Sequence, residues 1–175
     1  MCGISVLISS ESQNLDGIQK MNNAIIHRGP DGEGYYSYSK KEGDYNILGG
    51  RDTPKDVFDS HNLNGKCHNF NGKANLILGH RRLSIRDTSS KGHQPMLGDS
   101  GRYSIVYNGE VYAIDELRNQ LIQRGYKFFS KTDTEVILNG YIEWNFKLLE
   151  KLNGMFSFII FDKKNEEVFI ARDRF

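Results

Sequence analysis

The sequence predicts an α+β domain built mainly from antiparallel sheets. Two observations carry this. Runs rich in β-branched and aromatic residues outnumber stretches with helical spacing, and most segments between them are too short for parallel crossovers. A chain of 175 residues is long enough for one domain with a proper core.

Each element has its own signal. "CGISVLIS" alternates loosely and reads as a strand over 3–9. Leu15, Ile18, Met21, Ile25 and Ile26 recur at helical spacing, which predicts an amphipathic helix near 14–27. "HRGPDGEG" (27–34) ends it with turn residues, and "YYSYS" (35–39) reads as a strand. From 40 to 73 apolar residues are sparse, so this stretch is expected to be a functional loop or partly disordered. It contains "HNLNGKCH" (61–68), but the further ligands and tidy spacing of a zinc site are not visible there, so no metal is expected. "ANLILGHRRLSIRD" (74–87) has two β-rich halves around Gly79. "YSIVYNGEVYAI" (103–114) predicts a hairpin turning at Asn108-Gly109. A helix follows near 115–124, with Leu117, Leu121 and Ile122 on one face and Gly125 as its stop. "YKFFS" (126–130) reads as a short strand. "TDTEVILNGYIEWN" (132–145) reads as a helix with Thr132 or Asp133 at its N-cap. "MFSFIIFD" and "EEVFIARD" close the chain as a hairpin.

The charge balance excludes some classes of function. With 23 basic and 22 acidic residues well mixed, there is no electrostatic footprint for nucleic acid or for an anionic membrane surface. No apolar run approaches a membrane span, and the first ten residues lack the basic region of a signal peptide. The expectation is a cytoplasmic protein, in which Cys2 and Cys67 are free thiols.

Chemistry gathers at a few residues. Removal of Met1 would leave Cys2 with both a thiol and a free α-amine, a nucleophile with its own base. The two groups ordinarily titrate near ~8.5 and ~7.7–8.0, so their protons are closely matched. The Asn108-Gly109 turn could aim a backbone N–H and a side-chain amide at one point. Arg81, Arg82 and Arg86 compete as the group that grips a carboxylate. Strand alternation sends Arg81 and Arg82 to opposite faces, which allows one of them to be merely solvated. Asp133 is a helix N-cap or the partner of a substrate ammonium. His27, His80 and His93 read as structural hydrogen-bonders.

Eight segments, in order, carry a resemblance: "MCGI", "HRGPDGEG", "LGHRRLSIRD", "GHQPM", "YNGEVY", "TDTEVI", "LNGMFSFIIFD" and "ARDRF". Together they resemble the glutaminase domain of glutamine-dependent asparagine synthetases, and more broadly the class II glutamine amidotransferases, which are N-terminal-nucleophile hydrolases. The resemblance implies a four-layer αββα sandwich over residues 1–175, with a loop insert near 40–73. It implies hydrolysis of L-glutamine to glutamate and ammonia through a thioester on Cys2, with Asn108 and Gly109 stabilising the oxyanion. It selects Arg82 for the substrate carboxylate and Asp133 for its ammonium. Ile85 and Arg86 are expected to contribute mainly backbone groups, and Glu110 to assist. An apolar residue is usual at the position of Arg86, and an Asn at that of Ala113.

The resemblance further implies a C-terminal synthetase domain that uses ATP, magnesium and aspartate. No phosphate-cradling loop occurs in this sequence, so no cofactor is expected here, and the abrupt end at "ARDRF" suggests that more protein follows. L-Glutamine and that second domain are the expected partners, with a homodimer left open. Two other readings stand beside this one: an amidotransferase half with another ammonia acceptor, such as an amino-sugar or polysaccharide precursor, and a non-catalytic glutamine-binding module.

Overall fold

A computed structural model describes residues 1–61 and 63–174. Asn62 of "HNLNGKCH" and Phe175 of "ARDRF" therefore lie outside the described residues. The chain divides into two units. One comprises Met1–Ile85 with His93–Pro95, the other Arg86–Gly92 with Met96–Phe175.

The first unit is a four-stranded sheet in the order β1-β4-β2-β3, formed by β1 (Gly3–Gln13), β2 (Gly32–Ser39), β3 (Asp44–Gly49) and β4 (Ala74–Arg82). Every pairing is antiparallel. Helix α1 (Asp16–Ala24) packs on β1 and β4. Leu15, Ile18, Tyr35, Leu48, Cys67, Ala74 and Ile77 form the core. Full burial of a side chain such as Ile18 or Ile77 contributes about 1.5–3 kcal/mol each.

The second unit is also a four-stranded antiparallel sheet, in the order β5-β6-β7-β8. Its strands are β5 (Met96–Gly98), β6 (Tyr103–Val111), β7 (Gly154–Asp162) and β8 (Glu167–Arg172). A short helix in the first unit, α2, spans Lys55–Ser60; the second unit carries α3 (Ile114–Gln123) and α4 (Asp133–Trp144). Helix α4 packs on β5, β6 and α3. Leu121, Ile137, Phe158 and Ile160 lie at the centre of this core. Among the described residues no helix is long and apolar enough to cross a membrane.

The α+β class and the antiparallel sheets are as expected; several elements are not. The helix expected over 14–27 ends at Ala24 and gives way to a 3-10 turn at Ile26–Arg28, leaving Met21 and Ile26 exposed. The two halves around Gly79 are one strand. A Cβ there would lie 2.4 Å from Ser5 Oγ, so glycine serves close packing, not a break. The hairpin expected at Asn108-Gly109 does not exist. Both residues lie inside β6, opposite Ser157 and Phe156 on β7. A Cβ on Gly109 would meet Met155 O at 2.3 Å and Phe156 Cα at 2.6 Å, so glycine is required by the neighbouring strand, not by a turn. "YKFFS" forms no strand.

The segment from 40 to 73 is far more ordered than expected. It supplies β3, α2 and a 3-10 turn at Cys67–Asn69, and it buries Val57 and Cys67. Hydrogen bonds from Gly49 N to Gly65 O (2.9 Å) and from Asn64 N to Ile47 O (2.7 Å) fasten residues 64–65 to β3. A segment poor in apolar residues is ordered this way because Leu48, Val57 and Cys67 are all buried and backbone pairing satisfies the polar groups around them.

Candidate active site

In the first unit, strand pairing positions the nucleophile candidate. Gly3 pairs with Arg81, which sets Cys2 beside the residue that follows β4. Leu83 N donates to Cys2 Sγ at 3.3 Å, and the thiol donates to Leu83 O at 3.6 Å. Arg28, from the turn after α1, donates through Nε to Cys2 O at 3.1 Å. The sulfur is thus held by backbone groups while Met1, ahead of it, is 58% exposed.

Arg82 ends β4 opposite Gly32 and is buried. Its carbonyl accepts from Asp31 N at 3.0 Å, and the Asp31 carboxylate accepts from Ser84 N at 2.7 Å. The "HRGPDGEG" turn therefore ties down the 82–84 segment. The side chain of Ile85 is largely exposed, which fits a backbone contribution from this residue.

Alternation does place Arg81 and Arg82 on opposite faces, but neither is merely solvated. Arg81 is 1% exposed. It pairs with Glu33 at 3.2 Å and with Asp52 at 2.6 Å, and it donates to Asn22 O and to Asn23 Oδ1. Glu33 also accepts from Tyr35 O–H and Asp52 N, and its charge, after burial itself, pushes the Tyr35 hydroxyl far above its ordinary range. The sequence reading missed this network, though the acidic residues of "HRGPDGEG" were its available signal. Asp52 comes from the 40–73 segment, so that segment is stitched to the central strand.

Of the histidines, His27 is exposed, whereas His80 and His93 are buried. His93 packs edge-on against His61 at 5.3 Å. Burial holds both His61 and His93 below the usual histidine range, with the Arg82 charge acting in the same direction. Burial also pushes the Cys67 thiol up to about 11, so this second cysteine is a poor nucleophile at neutral pH. Among the described residues no cluster of three or more His, Cys, Asp or Glu is placed to hold a metal ion.

The second unit gathers the other candidates on β6 and α4. Asn108 is half-buried, and its Oδ1 has no hydrogen-bond partner among the described residues. Glu110 is exposed. Thr132, not Asp133, caps α4: its Oγ accepts from Glu135 N at 3.3 Å. Glu135 reaches back to Phe129 N and Ser130 N, at 2.8 and 2.7 Å, and Arg118 donates to Ser130 O and Thr132 O. The "TDTE" sequence is a capping-box signal that could have revealed this. Ala113 stands in the left-handed region at φ 53°, a conformation that Asn adopts more easily.

Freed from capping, Asp133 turns its buried carboxylate toward β6. Oδ2 accepts from Val111 N at 3.3 Å and from Tyr107 O–H at 3.5 Å. Oδ1 pairs with Arg86 Nη1 at 3.1 Å. Burial raises this carboxyl above its ordinary range, the Val111 N–H and the Arg86 cation oppose the rise, and Glu110 adds to it. The expectation that Arg86 acts mainly through its backbone is incomplete, since its guanidinium holds Asp133.

A sequence profile described as the glutamine amidotransferase domain matches residues 65–175. Asparagine synthetase [glutamine-hydrolyzing] 3 of Bacillus subtilis is 43% identical over 107 residues, covering 59% of this chain and 17% of that protein. A putative asparagine synthetase [glutamine-hydrolyzing] 2 of Methanocaldococcus jannaschii is 36% identical over 99% of this chain and 30% of its own length. The amidase chry2 of Gibberella zeae is 28% identical over the whole chain and 23% of its own length. The chain thus spans less than a third of each of these relatives. The solved glutamine phosphoribosylpyrophosphate amidotransferase of B. subtilis, complexed with ADP and GMP, covers 99% of this chain and 37% of its own, with a TM-score of 0.70. At 20% identity that likeness speaks for the fold alone. Since the profile spans well over half of the sequence and the M. jannaschii protein aligns with almost all of it, the chain belongs to the glutamine amidotransferase domain family.

Proposed function

We propose that this chain hydrolyses the side-chain amide of L-glutamine, releasing glutamate and ammonia. The observation that carries the proposal is the placement of Cys2, its sulfur held against the Leu83 backbone at the end of β4 in a member of this family. Once Met1 is removed, the α-amine takes the thiol proton and the sulfur attacks the amide carbon. The amine then protonates the departing nitrogen, which leaves as ammonia, and water hydrolyses the thioester. Met1 is exposed, so its removal breaks no buried contact. Asn108 and the Gly109 N–H stabilise the oxyanion, Arg82 grips the α-carboxylate and Asp133 the α-ammonium.

The ammonia is proposed to pass to an ATP- and magnesium-dependent synthetase domain C-terminal to residues 1–175, with aspartate as acceptor. Ammonia release is tested with purified protein whose intact mass shows Met1 absent. Cys2→Ala should lose turnover by several orders of magnitude and still bind glutamine. Near-normal turnover in Cys2→Ala, or full activity with Met1 retained, overturns the mechanism.

A further inference from the structure

We infer that Arg86 is a resident counter-ion of Asp133 whose charge opposes the α-ammonium of glutamine, so that it sets affinity for α-amino substrates. The inference rests on the proposed role of Asp133 as the ammonium partner. The carboxylate divides its two oxygens between different kinds of donor. Oδ2 takes the Val111 N–H and the Tyr107 O–H, which belong to the strand and stay in place. Oδ1 takes the Arg86 guanidinium at 3.1 Å. An ammonium has three donors and no acceptor, so it seeks the same carboxylate, where the like charge of the guanidinium opposes it.

The two sides of the pair differ in freedom. Asp133 is 6% exposed and fixed at the start of α4, whereas Arg86 is 43% exposed. A half-exposed guanidinium can turn into water and keep its hydration, so its effect is only the modest one of a surface ion pair. In the absence of substrate it also keeps a cation against a carboxylate that burial would otherwise push toward protonation. Arg86 thus keeps the ammonium site charged and at the same time weakens it as a binding site.

This opposition predicts a selective effect. At a pH above the acid limb of both proteins, so that Asp133 is ionised in each, removing the guanidinium should tighten glutamine by about two- to fivefold, the size of a half-exposed ion pair. Glutaramate, which is glutamine without its α-amino group, should bind equally well to both proteins. Binding of each ligand is measured by calorimetry, or by competition where it is weak, in full-length chain carrying Cys2→Ala. Arg86→Gln is compared with Arg86→Lys, which keeps the cation and should bind glutamine as the parent does. Weaker glutamine binding in Arg86→Gln, no change, or an equal shift for glutaramate overturns the inference. Asp133→Asn separates the two readings. If it leaves glutamine binding unchanged, the ammonium assignment itself fails. If it weakens glutamine alone while Arg86→Gln does not tighten it, only the role of Arg86 fails.

Discussion

Two buried ionic groups in this chain are held in opposite ways. Arg81 is densely paired: Glu33, Asp52, Asn22 and Asn23 take its donors, and its side chain is almost fully buried. Removing one partner of such a buried pair leaves an uncompensated charge, which typically costs about 3–5 kcal/mol. Arg81→Met should therefore lower the unfolding free energy by about that amount, and Arg81→Met with Glu33→Gln should recover part of it. Urea titrations of the two variants check this, and equal losses in both would remove Glu33 from the account. Asp133 has fewer partners and a carboxyl raised above its ordinary range, first by burial and then by Glu110, against the opposing Val111 N–H, Arg86 and Tyr107. The sign follows from linkage: the native state binds the proton more tightly than the unfolded chain, so stability falls as pH rises from the ordinary carboxylate range to the raised one. Binding of an ammonium runs the other way, because it needs the ionised form. The acid limb of kcat/KM for glutamine should lie above the ordinary carboxylate value, and Asp133→Asn should remove it from whatever activity survives.

At the scale of elements, β6 carries the structural result that most changes the reading of the site. Asn108 and Gly109 are adjacent residues of a continuous strand, and their placement depends on the close approach of β7. Gly109 has no room for a methyl group, because the atoms it would meet are backbone. Gly109→Ala should force β6 and β7 apart and cost about 1–3 kcal/mol, as overpacking of a tight interior does. Thermal unfolding measures this directly. An alanine variant as stable as the parent would show that the strands have slack there, and would leave Gly109 with a purely catalytic rationale. The loop ahead of α4 is the second such element. Thr132, Glu135 and Arg118 together satisfy its backbone, so the first helical residue is free to serve as a ligand.

Across the whole molecule, both sheets are antiparallel, each unit has its own core, and the family match crosses from one unit into the other. The proposed glutaminase parts, Cys2, Arg82, Asn108, Gly109 and Asp133, all fall within this chain. The sequence predicts no phosphate cradle for activating aspartate. The isolated chain should therefore release glutamate and ammonia from glutamine, and form no asparagine when ATP, magnesium and aspartate are supplied. Amino-acid analysis of the reaction, with Cys2→Ala as control, decides this. Asparagine made by this chain alone would reveal a synthetase site within residues 1–175. Within 40–73, Asp52 is paired with Arg81 and Gly65 O accepts from Gly49 N, so this segment is tied into the first unit.

The sequence by itself determined the class of the fold, most of its strands, helix α4 and the identity of the family, because these depend on local periodicity and on short motifs whose residue types are set by chemistry. Cys2 and the "TDTEVI" segment are legible for that reason. Tertiary structure decided what depends on a neighbour distant in sequence. Gly109 reads as a turn until Phe156 is brought against it, and alternation allows either Arg81 or Arg82 to be solvated until Glu33 and Asp52 converge on Arg81. The 40–73 segment reads as a loop because its backbone bonds leave no mark on composition. Arg86 reads as a backbone contributor because nothing in its own neighbourhood announces Asp133, 47 residues away along the chain and 3.1 Å away in the fold.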